Sequence, residues 1–405
     1  MSQLRHRHAV TPLRRDIDAP SMLPAVDDLI AVEQPDVPMH CLRPTVLAAT
    51  AREFVAAFPG DVLYAVKCNP EPAVLRALWA GGVRHFDCAS AAEVSLTRQM
   101  FPDASIHFMH PVKSRRAIRE AYFRDGVRDF VLDGADELAK ILAETDRAGD
   151  LGLFVRLALP AGEAAIDLSG KFGAEANDAV ALLRVARPLA ARLGVSFHVG
   201  SQCLDPVAYR HAMELAGRII RAAGVAIEVI DVGGGFPVPY PDIEPPPLGA
   251  FLAEIEAAFE ALNLPENVRL WCEPGRALVA AGGSVVVQVQ MRRGGMLYIN
   301  DGVYGSLSDA GTLGFRFPAR CIRPRAATSK VLAPFSFYGP TCDSADIMRG
   351  PFLLPADIAE GDWIELSQLG AYGACLRTAF NGFDRAMIAE VRDLPMIHVP
   401  NRIAA

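Results

Sequence analysis

Val62-Leu63-Tyr64-Ala65-Val66-Lys67-Cys68-Asn69-Pro70 is the stretch whose reading decides the fold. Four of the five residues before Lys67 are aliphatic, so the run reads as a strand buried on both faces, as a parallel strand covered by helices is. It ends on a lysine. An isolated lysine usually snorkels to the surface. One projected from the end of a buried strand enters a partly desolvated pocket instead, where a lowered pKa makes its amine nucleophilic.

Outward from this strand the pattern repeats. Short apolar runs fall at 62–66, 83–87, 105–109, 129–132, 153–157, 195–199, 227–232 and 268–272. Amphipathic segments lie between them, at 71–80, 91–100, 114–123, 135–145, 178–192, 206–221 and 248–262, with one more at 45–57 ahead of the first run. This alternation predicts an α/β architecture, a (β/α)8 TIM barrel over 40–280. The competing doubly wound sheet would carry a glycine fingerprint after its first strand, and none is there. From about residue 283 the character changes. Runs at 285–289, 296–299 and 363–366 are separated by turn residues without long helical patterns, which predicts an all-β second domain over 281–405. Residues 1–39 hold many prolines and no clear helix, and are expected to add a strand to that domain. The six prolines of 237–247 read as an irregular loop after the seventh strand.

The 405 residues exceed one ordinary core. With 51% hydrophobic and 21% charged residues the chain is globular, and a net charge of −7 without a basic stripe argues against nucleic acid. The eight cysteines are scattered singly, with no C-x-x-C pair, so neither a metal site nor a redox motif is expected. A reducing compartment, hence the cytoplasm, fits them. The longest apolar stretch, 277–287, is interrupted by Gly282, Gly283 and Ser284 and is too short to span a bilayer. Arg5, Arg7, Arg14 and Arg15 have no apolar core behind them, so a flexible tail is expected there rather than a secretory signal.

Barrel enzymes act at the C-terminal ends of their strands. There the sequence places Lys67, then Asp87 with Glu93 following, Arg156, His198-Val199-Gly200-Ser201, Asp231-Val232-Gly233-Gly234-Gly235, and Glu273-Pro274-Gly275-Arg276. Three glycines let backbone approach a ligand and offer N–H groups to an anion, while Arg276 and Ser201 could complete a phosphate cup. Taken singly, each has a plainer reading: a triple glycine is a turn and a lone histidine a satisfied core residue. Together on one rim they fit pyridoxal 5'-phosphate. Lys67 would form the Schiff base, the glycines and Arg276 would hold the phosphate, Glu273 would keep the ring nitrogen protonated, and His198 would stack on the ring.

Seven motifs then occur in order: Tyr64-Ala65-Val66-Lys67-Cys68-Asn69, His198-Val199-Gly200-Ser201, Gly233-Gly234-Gly235-Phe236-Pro237, Glu273-Pro274-Gly275-Arg276, Asn300-Asp301-Gly302-Val303-Tyr304-Gly305-Ser306, Gly339-Pro340-Thr341-Cys342-Asp343 and Gly370-Ala371-Tyr372. From residue 40 to the C-terminus the chain resembles the eukaryotic-type ornithine decarboxylase branch of the alanine-racemase-fold pyridoxal enzymes. The resemblance implies a head-to-tail homodimer with two shared active sites. By motif it makes Lys67, Glu273, His198 and Cys342 catalytic, assigns phosphate contacts to Ser201, Gly235, Arg276 and Tyr372, and counts Gly234 and Gly275 among the cofactor-binding residues. Asp87, Glu93 and Arg156 become the supporting shell. The resemblance has Cys342 and Asp343 enter from the neighbouring subunit, the thiol to protonate the carbanion and the carboxylate to bind the distal ammonium. Tyr304 and Phe383 become substrate contacts. After Ser306 the chain reads Leu307-Ser308-Asp309-Ala310-Gly311, where the eukaryotic specificity motif is not recognisable; Asp309 is expected as a second carboxylate for the distal amine.

The implied activity is decarboxylation of a basic L-amino acid, ornithine to putrescine first and lysine to cadaverine second. Three rivals share the layout. Racemases on this fold put an arginine against the ring nitrogen, where this chain has Glu273. Diaminopimelate decarboxylases follow the cysteine with Glu-Ser, where this chain has Asp343-Ser344. Inactive homologues that act as binding decoys are expected to lose cofactor contacts, all of which stand here.

Overall fold

The computed structural model describes residues 10–12, 23–160, 170–311 and 313–397. The arginine-rich start expected as a tail lies largely outside them. Eight parallel strands close into a barrel: Asp61–Ala65, His85–Cys88, Ser105–Phe108, Asp129–Leu132, Gly152–Arg156, Arg192–Ser196, Val229–Asp231 and Arg269–Cys272. Closure sets Trp271 and Cys272 of the eighth strand beside Asp61 and Val62 of the first. Seven helices return the chain between strands, and Pro44–Ala57 precedes the first strand. The fifth connecting helix, Ala176–Ala186, stops short of the expected 192, because Pro188 lacks the N–H that another turn needs. The sixth strand therefore starts and ends earlier than expected, and His198 lies in the loop beyond it.

Each barrel strand is short and carries apolar side chains on both faces, as its position between a packed lumen and a helical shell requires. The lumen is filled by Leu63, Met109, Val131, Phe154, Val229 and Trp271. Helix Pro44–Ala57 uses its buried Phe54 to brace the loop after the seventh strand: Phe236 sits against Phe54 and Tyr209, with ring centroids 5.2 Å apart in both pairs. Truncating Phe236 to alanine would leave a void behind the glycine loop and cost about 3–5 kcal/mol.

A separate nine-stranded sheet forms the second layer of the molecule, built around the long strand Gly283–Arg293. That strand pairs antiparallel with Met39–Leu42, Met296–Ile299 and Trp363–Ser367. The N-terminal region adds two strands: Val10–Pro12 pairs with Ala386–Glu390, which in turn pairs with Met39–Leu42. It also forms a helix, Val26–Glu33, which the sequence reading did not anticipate. This helix buries Val26, Leu29 and Ile30 against Met39, Val286, Ile322 and Trp363. Arg43 ties the layers together, donating to Glu365 at 2.7 Å and Ser284 at 3.0 Å in full burial.

Candidate active site

Lys67 does not extend the first strand. The strand ends at Ala65, and Val66–Cys68 make a single 3-10 turn that turns the Lys67 side chain over the barrel mouth. Tyr64 fixes this turn from inside, its buried hydroxyl donating to the Asn69 carbonyl at 3.0 Å. The sheet domain fixes it from outside. Asn69 Nδ2 donates to the Gly370 carbonyl at 2.8 Å, and the Tyr372 N–H donates to the Cys68 carbonyl at 3.0 Å. Tyr372 is thereby delivered to the barrel rim.

A cavity of about 370 Å³ opens at this rim. Lys67, Arg156, His198, Ser201, Gly234, Gly235, Glu273, Gly275, Arg276 and Tyr372 all line it, so expected site residues from five strand ends and the sheet domain meet in one place. Asp87 stands behind Lys67 and accepts from its Nζ at 2.7 Å. Glu93 serves the helix start, accepting the Ala89 N–H at 2.8 Å, while Ser90 Oγ accepts the Glu93 N–H at 3.2 Å.

The expected fall in the Lys67 pKa is reversed. Burial pulls it down, but the carboxylates of Asp87 and Glu273 outweigh burial and raise it, so the amine stands as an ammonium paired with Asp87. Its side chain keeps 43% of its surface because the cavity lies open before it. Glu273 shifts upward for a different reason: burial first, then the neighbouring carboxylates Asp231 and Asp87. Asp231 is itself pushed up to about 6 by burial. Burial drives His198 the other way, with Arg156 and Lys67 adding to it, so the imidazole is neutral. Its Nδ1 accepts the Gly200 N–H at 3.0 Å, which leaves the ring proton on Nε2.

Several buried polar atoms here lack a partner. Glu273 Oε1 is one, and Arg276 Nε and Nη2 are two more. Leaving such atoms unpaired is costly unless a ligand completes them. The Arg276 guanidinium is pinned by Tyr240, whose hydroxyl accepts from Nη1 at 2.7 Å, and by Asp309 at 2.9 Å, so its free edge is fixed in direction. The N–H groups of Gly234 and Gly235 bond to nothing among the described residues. Gly235 has φ +108°, and a Cβ there would come within 2.4 Å of the Gly200 carbonyl, so the position requires glycine. An anion-binding edge and an acid awaiting a cationic N–H donor therefore flank a lysine. A phosphorylated pyridine aldehyde fits that set.

Asp309, expected as a carboxylate for a distal amine, is buried and ion-paired with Arg276 at 2.9 Å in the same chain. Cys342, Asp343, Tyr304 and Phe383 form a second group on the sheet domain and line no part of the barrel cavity. The Tyr304 hydroxyl donates to Asp343, and Cys342 donates to Asn381 Oδ1 from both N and Sγ, at 3.2 and 3.3 Å. His110, Lys171 and Phe172 line the barrel cavity without having been anticipated. The Gly-Lys-Phe-Gly stretch at 170–173, with both glycines at positive φ, was the available sign of a loop returning to the site.

Fold and rim together set a lysine, an acid and an anion-binding edge around one cavity of a barrel, as a barrel enzyme with a phosphorylated cofactor requires. The comparisons with known proteins agree. The family described as pyridoxal-dependent decarboxylase, pyridoxal binding domain, matches residues 46–280. The lysine/ornithine decarboxylase of Selenomonas ruminantium is 33% identical over 348 residues, 82% of this chain and 84% of that protein. Among solved structures, lysine/ornithine decarboxylase from Vibrio vulnificus complexed with putrescine superposes with a TM-score of 0.77 at 34% identity, over 90% of this chain and 97% of that one. The arginine decarboxylase of Paramecium bursaria Chlorella virus gives 0.79 at 27% identity, over 90% and 99%. This chain belongs to the pyridoxal-dependent decarboxylases. Its cofactor is pyridoxal phosphate. No described helix is long and apolar enough to cross a membrane.

Proposed function

We propose that the chain decarboxylates a basic L-amino acid, L-ornithine to putrescine first and L-lysine to cadaverine second, as a cytoplasmic enzyme of polyamine synthesis. The observation that carries the reading is the pairing of an acid and a thiol on the sheet domain. Asp343 is held ionised by the Ala345 N–H and the Tyr304 hydroxyl, next in the chain to the exposed Cys342, and the Tyr304 ring packs on Phe380 with centroids 4.8 Å apart. An ionised carboxylate bonded to a tyrosine that packs on a phenylalanine suits an alkylammonium chain. Relatives named for ornithine and lysine support the same substrate class.

When bound, pyridoxal phosphate takes up the electron pair released as carbon dioxide leaves. The chain supplies the rest. Lys67 is the point of covalent attachment, and Asp87 holds its proton when it is free. Arg276, Gly234, Gly235, Ser201, Gly275 and Tyr372 bind the phosphate; Glu273 keeps a proton on the ring nitrogen; His198 and Arg156 orient the ring. Asp343, with Tyr304 and Phe383, takes the distal ammonium, and the Cys342 thiol returns a proton to the carbon that lost its carboxylate. Since the two groups line different parts of one chain, a head-to-tail homodimer would bring them together, with each barrel mouth completed by its neighbour's sheet domain.

Release of carbon dioxide from L-ornithine, L-lysine, L-arginine and meso-diaminopimelate under identical conditions tests this. Ornithine is expected to give the highest kcat/KM, with lysine next. A preference for diaminopimelate, or release from none of the four, would overturn it.

A further inference from the structure

Between the motif that delivers Tyr372 and the stretch that holds Asn381 lies Arg377, whose side chain is 6% exposed. Three segments meet on it. Nη1 donates to both oxygens of Asp301, at 3.1 and 3.0 Å, and to Ser306 Oγ at 2.9 Å. Nη2 donates to the carbonyls of Phe383 and Arg385, both at 3.1 Å. Asp301 in turn accepts the N–H groups of Gly302 and Ser306, at 2.9 and 3.0 Å, which closes the tight turn carrying Tyr304. That turn is packed so closely that a Cβ at Gly305 would lie 1.8 Å from Asp301 Oδ1. On its other side Ser306 Oγ meets His40 Nε2 at 3.0 Å, on a strand from the N-terminal region.

The consequences reach both chemical groups of this face. Next to Arg377, Thr378 donates from N and Oγ1 to the Tyr304 carbonyl, at 2.9 and 3.0 Å. Tyr304 holds Asp343, while Asn381 holds Cys342. We infer that Arg377 is the positioning residue of this face: one buried guanidinium locks the Tyr304 turn to the 378–385 segment and so sets where the acid and the thiol stand. The inference rests on the roles proposed above for Cys342 and Asp343. Only a planar fork reaches two carbonyls with one nitrogen and a carboxylate with the other; the ammonium of lysine radiates from a single point.

Arg377→Lys keeps the charge and removes the fork. Two readouts are taken on the holoenzyme: alkylation of Cys342 by iodoacetamide, located by mass spectrometry, and kcat/KM for L-ornithine. Freed from its hold on Asn381, Cys342 should be alkylated about tenfold faster, and kcat/KM should fall about tenfold or more, with cofactor affinity and absorbance unchanged. Restoring the fork by reversion to the native Arg377 must return both. A folded Arg377→Lys protein with wild-type alkylation and wild-type kcat/KM overturns the inference. Should that variant not fold, Thr378→Val, which cuts one of the bonds to the Tyr304 turn at an exposed position, decides by the same two measurements with smaller shifts of the same sign. If the wild-type protein releases carbon dioxide from no amino acid, the proposed function fails separately, and the alkylation rate alone still decides whether Arg377 positions this face.

Discussion

A carboxylate stands at the centre of each chemical group, and the two are displaced in opposite directions. Glu273, buried at the barrel mouth, is driven upward by desolvation and by neighbouring acids. Asp343, half-buried on the sheet domain, is driven downward by the hydrogen bonds of Ala345 and Tyr304. The first acid is incomplete without a cation aimed at it; the second is already satisfied and stays charged in water. A fixed, resident partner suits the former, and a partner that comes and goes suits the latter. The same division appears in the unpaired atoms: Glu273 and Arg276 have them in the barrel, whereas Asp343 and Cys342 are both bonded.

Removing the barrel's anchor is the most severe way to test this division. Lys67→Ala should abolish the visible absorbance of the lysine-bound cofactor and lower activity on the order of 10⁴-fold or more. A Lys67→Ala protein that retains the absorbance band would put the attachment elsewhere. Mixing sharpens the comparison further. Lys67→Ala and Cys342→Ala chains, each inactive alone, should regain roughly a quarter of wild-type activity after subunit exchange, since random pairing makes half the dimers mixed and each mixed dimer has one intact site of two. Demonstrated exchange without recovery would break the shared-site reading.

Much of the barrel was legible because its strands carry few but decisive residues. Short, largely apolar runs that recur eight times between stretches of helical periodicity fit a parallel barrel. The rim was legible for the same reason, since strand ends fix where side chains go. What escaped depends on contacts across long separations. Helix Val26–Glu33 is eight residues long, has Ala25 at its N-cap with no side-chain cap, and gains its stability from a sheet formed hundreds of residues later. The pairing of Asp309 with Arg276 and the grip of Asn381 on Cys342 join distant segments, so no local pattern announces them. The direction of the Lys67 shift was missed because burial was visible in the strand, but the convergence of Asp87 and Glu273 was not.

Asp343→Ala tests the satisfied acid. KM for ornithine should rise roughly tenfold to a hundredfold as the charge-assisted contact is lost, while cofactor affinity holds. Equal losses in both would remove the acid from the substrate and return it to the structure.

The smallest effect expected is on stability, and it bears on how the outer face is supported. His40, beneath Ser306, is lowered from its ordinary 6.5 to about 4 by burial, with Asp301 opposing and Arg377 reinforcing the shift. Above the ordinary value both folded and unfolded chains leave it neutral. As pH falls through 6.5 the unfolded chain takes up a proton that the fold refuses until about 4, so stability declines across that window and levels off below it. Urea unfolding from neutral to about pH 5 should show a loss of about 2 kcal/mol from this group. His198 and His85 are lowered as well and steepen the same slope from the barrel side. His40→Gln should flatten the curve by its own share alone. If the slope is unchanged in that variant, the acid sensitivity belongs to the barrel histidines, and the outer face is the more robust of the two regions.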